Sequence, residues 1–106
     1  MITVETDNGV KRLHVEGEMT IYHAAALKQD LLERLAGAPE TEINLSRVTE
    51  MDTAGFQLLV LAKREAAREG RVLRLVAHSP ATLEVMDLFN MSGYFGDPVV
   101  ISQKAR

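Results

Sequence analysis

The sequence predicts an α/β fold: a mixed sheet of about five strands with helices mainly on one face. Three observations lead there. Short runs alternate apolar and polar residues, as half-buried strands do: Ile2 to Thr6, Val10 to Val15, Thr41 to Leu45 and Val72 to Ala77. Between them lie stretches whose apolar residues recur at spacings of three and four, the pattern of helices with one buried face. The resulting order is strand, strand, helix, strand, helix, strand, helix, strand. Repeated strand–helix–strand units favour parallel pairing with right-handed crossovers, and an initial hairpin makes the sheet mixed.

Asp7-Asn8-Gly9 is the turn signal joining the first two strands, and Gly17 is expected to close the second. Thr20 is read as the cap of the first helix, whose buried face is Ala24, Leu27, Leu31, Leu32 and Leu35. Gly37 and Pro39 stop it. Thr41 to Leu45 is a short central strand with Ile43 and Leu45 on one face, followed by a polar loop from Ser46 to Asp52. The second helix runs from Thr53 to Gly70. Leu58, Leu59, Ala62 and Ala66 face inward, and Phe56, Val60 and Ala67 widen that face. Gln57, Arg64, Glu65 and Arg68 form the polar face, with Leu61 among them. Lys63, Arg64, Arg68, Arg71 and Arg74 alternate with Glu65 and Glu69 as a solvated, charge-paired surface. In Val72 to Ala77, Leu73 and Leu75 oppose Val72, Arg74 and Val76. Ser79-Pro80 starts a third helix, with Leu83, Met86 and Leu88 to Met91 as its apolar side and Ser92-Gly93 as its end. Pro98 to Ile101 reads as a last strand before the polar tail, Ser102 to Arg106.

The boundary between the Ser46–Asp52 segment and the second helix carries the chemistry. A helix N-terminus has unpartnered N–H groups and partial positive charge, so it favours an anion. Thr53 sits there beside the small residues Ala54 and Gly55. Its hydroxyl suits attachment of a phosphate, which adds about two negative charges. Asp52 and Thr53 are both also favoured helix caps, a role compatible with a switch.

Bulk properties exclude several classes. The 106 residues fit one domain, 1–106. A net charge of −3 gives nucleic-acid binding no electrostatic footprint. Without cysteine there is no disulfide framework, thiolate chemistry or cysteine zinc site. No apolar run approaches ~18 residues, so no direct membrane insertion is expected. MITVETDNGV has neither the basic start nor the apolar core of a signal peptide, and the cytoplasm is the expected compartment. His14, His23 and His78 have no metal-ligand spacing, so neither metal nor cofactor is expected. His78-Ser79 pairs a base with a hydroxyl, but Ser79 is committed as a cap, and neither a nucleophile elbow nor a phosphate-cradling glycine loop is present. An independent enzyme is not expected.

Over nearly its whole length the sequence resembles the STAS domain family, which includes the bacterial anti-sigma-factor antagonists. Asn44-Leu45-Ser46 matches that family's Asp-Leu-Ser, and Met51-Asp52-Thr53-Ala54-Gly55 its hydrophobic-Asp-Ser/Thr-small-Gly motif. Gly70, Ser79-Pro80 and Leu88 to Phe95 match the segments that follow. The resemblance implies a STAS fold and a non-enzymatic signalling module. Thr53 is the implied phospho-acceptor for a serine/threonine-kinase anti-sigma factor or related ATPase, with a phosphatase as reset. The implied partner surface is Asn44, Ser46, Met51, Asp52, Ala54, Gly55, Phe56 and Leu61, with Glu18, Thr20 and Tyr22 beside it. Asn44 replaces a common aspartate, Thr53 the more usual serine, and Glu18-Met19-Thr20 a frequent Glu-Leu-Asp. Thr53 and Thr20-Ile21-Tyr22 are similar to other STAS members: subunits that bind the ATPase of phospholipid-transport ABC systems, and chemotaxis-associated proteins.

Overall fold

A two-residue turn sets the sheet going. Asn8 and Gly9 both take positive φ, 52° and 81°, as a tight hairpin turn requires. They join β1 (Ile2–Asp7) to β2 (Val10–Met19), antiparallel with Asp7 opposite Val10. The structure, a computed structural model, describes residues 1–88. Helix α1 (Ala24–Leu35) leads to β3 (Glu40–Met51), α2 (Thr53–Arg68) to β4 (Val72–Val76), and α3 (Pro80–Leu88) follows. β2, β3 and β4 pair in parallel, and the strand order is β1-β2-β3-β4.

Register gives the sheet two unlike faces. Leu13, Ile43 and Leu75 lie side by side across β2, β3 and β4, all fully buried. They share one core with Leu27, Leu31 and Leu35 of α1, Phe56 and Leu59 of α2, and Met86 of α3. The mixed sheet with helices on one face is therefore as expected. One residue earlier in each strand stand Arg12, Glu42 and Arg74, on the opposite face. Glu42 accepts from Arg12 Nε at 3.1 Å and from Arg74 at 2.9 Å. Asp7 and Glu40 extend the row, pairing with Arg12 at 3.0 Å and Arg74 at 2.6 Å. The Arg74 guanidinium, and next that of Arg12, hold the Glu42 carboxyl below its ordinary value. A lowered carboxyl stabilises the fold above its unfolded-state pKa, and that contribution is lost as pH falls through the lowered folded-state value. Glu42→Gln is expected to cost no more than about 1 kcal/mol at pH 7, since solvent screens the pairs. Urea titrations of the variant from pH 7 to 3 are expected to show a shallower acid loss than the parent.

Several boundaries differ from the expectations. Gly17 does not close β2, which runs on to Met19. Ser46 to Met51 is strand, not loop, paired with that extension of β2. Thr20 does not cap α1; His23 is at the N-cap, without a side-chain cap bond, and donates its N–H to the Thr20 carbonyl at 2.9 Å. Ala67 and Leu88 are exposed, while Leu61 is half-buried. Arg74 belongs to the sheet row rather than the helix surface, and Lys63 and Arg71 reach the carbonyls of Leu73 and Leu35. Ser79 caps α3 as expected, its Oγ accepting the Thr82 N–H at 3.2 Å. The helix end at Ser92-Gly93, the strand Pro98 to Ile101, and residues 89–95 of the last motif lie outside the described residues. Among the described residues no helix is long and apolar enough to cross a membrane.

Candidate functional site

The approach to the site is shaped by two irregularities in β3. While β2 advances from His14 to Glu16, β3 advances from Asn44 to Arg47; from Gly17 to Glu18, β3 advances from Val48 to Glu50. Each step inserts one extra β3 residue, as a bulge does. Inward side chains therefore fall three apart: Leu45 and Val48 are buried and Met51 half-buried. Asn44 Oδ1 holds the first bulge, accepting the Ser46 N–H at 2.9 Å and its hydroxyl at 2.6 Å. Asn44 and Ser46 thus shape the strand; Ser46 lies at most about 16 Å upstream of Met51 along it.

The junction itself brings β2, the following loop and α2 together. Asp52 is the N-cap of α2, and its Oδ1 accepts the Gly55 N–H at 3.0 Å. Its Oδ2 accepts the Ile21 N–H at 2.9 Å, and its own N–H donates to the Met19 carbonyl at 3.3 Å. The amide of Ile21, then that of Gly55, hold the Asp52 carboxyl below its usual value. Gly55 permits the approach: a Cβ there would lie 1.9 Å from the Met19 carbonyl oxygen.

With the cap supplied by Asp52, Thr53 is left as the exposed first residue of α2. Its hydroxyl has no hydrogen-bond partner among the described residues. On the segment after β2, whose Ile21 amide bonds the neighbouring Asp52, Ile21 and Tyr22 are 66% and 88% exposed. Ala54, Met51 and Leu61 are half-buried. Phe56 is buried in the core and supports the surface from beneath. Thr20 is half-buried, and its Oγ1 is enclosed without a partner among the described residues. Glu18 is exposed and faces His23, 3.5 Å away. These two line a cavity of about 250 Å³ with Met1, Ala26, Leu27 and Asp30. His14 pairs with Glu5 at 3.1 Å on the sheet. Among the described residues no three histidines or carboxylates are grouped to hold a metal.

The link from Asp52 to Ile21 spans 31 positions, beyond the reach of a local sequence pattern. An Asp at the start of the second helix signals a cap but not the segment after β2 that approaches it.

A family model described as "Mlab, STAS domain" matches residues 2–101. Among solved structures, a putative anti-sigma factor antagonist from Thermotoga maritima is 20% identical, with a TM-score of 0.82 over 97% of this chain and 90% of that one. An anti-sigma factor antagonist from Mycobacterium paratuberculosis is 27% identical, with a TM-score of 0.81 over 94% and 86%. The Bacillus cell fate determinant SpoIIAA in its phosphorylated form is 18% identical, with a TM-score of 0.69 over 99% and 96%. No curated protein matches the chain significantly.

Proposed function

This chain belongs to the STAS domain family, and we propose that it is a non-enzymatic, antagonist-like binding module switched by reversible phosphorylation of Thr53. One observation carries the reading: Asp52 caps α2, so the adjacent Thr53 hydroxyl is exposed and uncommitted at the helix N-terminus. The partner is a protein of the serine/threonine-kinase anti-sigma type or a related ATPase. In the transfer step, Thr53 Oγ1 bonds to the γ-phosphorus of a nucleoside triphosphate. The bond to the nucleoside diphosphate breaks, and the hydroxyl proton passes to a base of the kinase. A phosphatase restores the hydroxyl by hydrolysis. The surface around Thr53 presents Ile21 and Tyr22 to a partner. A dianion placed within such a contact must be desolvated, which opposes binding. The 27% identity to an anti-sigma factor antagonist supports this role.

A second reading uses the same surface without phosphate, as the subunit that binds the ATPase of a phospholipid-transport system. The resemblance of the Thr20-Ile21-Tyr22 segment to such subunits favours it; a chemotaxis-associated role shares that sequence feature. Co-purification from the protein's own cells separates the readings. A soluble kinase-like ATPase is the expected catch; a membrane transporter ATPase would put the second reading first.

A further inference from the structure

The two halves of the proposed partner surface are far apart in sequence; the Asp52 backbone N–H ties Met19 to the junction, and the Asp52 side chain ties the Ile21 amide beyond it. The Asp52 carboxylate accepts the Gly55 amide of α2 with one oxygen and the Ile21 amide with the other. The side chains of Ile21 and Tyr22 project into solvent, so packing does little to hold them beside α2. The N–H groups of the first α2 turn are the donors a phosphate on Thr53 would seek, and Gly55 supplies one that Asp52 now uses.

We propose that Asp52 is a positioning residue that couples the state of Thr53 to the placement of Ile21 and Tyr22. A phosphate on Thr53 competes for the first-turn amides and repels the neighbouring carboxylate. Asp52 then loses its hold on the Ile21 amide, and the Ile21–Tyr22 segment detaches from α2. Phosphorylation would thus dismantle half of the contact surface in addition to placing charge on it. This inference rests on Thr53 as the phospho-acceptor.

The test installs phosphothreonine at position 53 during translation, so that no kinase is needed, and follows amide hydrogen exchange residue by residue. The Ile21 amide is expected to exchange about tenfold faster or more in the phosphorylated protein, with the core amides of Leu59 and Leu75 unchanged. Asp52→Ser, whose shorter side chain still caps a helix but falls short of Ile21, is expected to free the same amide without phosphate. Unchanged Ile21 exchange in the phosphorylated protein overturns the coupling. If that protein also loses its partner, the switch stands without the coupling. If Ile21 is freed yet the partner binds phosphorylated and unmodified protein equally, the coupling stands and the switch fails.

Discussion

Gly55→Ala is expected to destabilise the domain by about 2 kcal/mol or more, although alanine is the better helix former by about 1 kcal/mol. Geometry reverses the propensity. The added Cβ would meet the Met19 carbonyl oxygen at 1.9 Å, its carbon at 2.7 Å and the Met19 Cβ at 2.8 Å. These are backbone and near-backbone atoms with no rotamer to escape into. The Met19 carbonyl also accepts the Asp52 N–H, and the Met19 side chain is only 1% exposed. Relief therefore requires α2 to lift from the end of β2, which disturbs the core and the link from Asp52 to Ile21 together. Urea unfolding of Gly55→Ala beside Gln57→Ala, an exposed α2 position, checks this. The first is expected to lose stability and the second to stay near the parent. Parent-like stability in Gly55→Ala would refute the close approach on which the junction is built.

Phosphate on Thr53 is expected to weaken partner binding by about 100-fold, a magnitude within the usual range of coupling between a modification and a binding event. Thr53→Asp is expected to reproduce part of that loss, because a carboxylate brings one charge where phosphate brings about two. Thr53→Ala is expected to bind within a few-fold of the parent and to accept no phosphate. Thr53→Ser keeps the hydroxyl and so the switch. Calorimetric titration of each form against the co-purified partner checks the series. Equal affinity of the unmodified and phosphorylated proteins would remove the switch and leave Thr53 as a contact residue.

The helices and the alternating strands were legible because each obeys one period over its length. In α2, Leu58, Leu59, Ala62 and Ala66 are buried as their spacing indicates, and in β4 Leu73 and Leu75 oppose Arg74 as alternation indicates. The second half of β3 was not legible because two bulges replace a spacing of two with a spacing of three, so that Leu45, Val48 and Met51 turn inward. Gly17 misled for a related reason: its φ of 98° suits an irregular position, and here the irregularity lies within a continuing strand. Thr20 has a capping side chain, but helix α1 begins later, at Ala24. At the site, motif and helix boundary together brought out Thr53 and Asp52. The bond from Asp52 to Ile21 depends on how β2 and α2 converge, which no local pattern encodes.

The most direct test of the central claim is the phosphorylation state of Thr53 in the protein isolated from its own cells. Intact mass and phosphosite mapping across growth and stress conditions are expected to find a fraction carrying one phosphate, located on Thr53 and missing from Thr53→Ala. Phosphate consistently absent from Thr53 under all those conditions would contradict the switch and advance the transporter-subunit reading in its place.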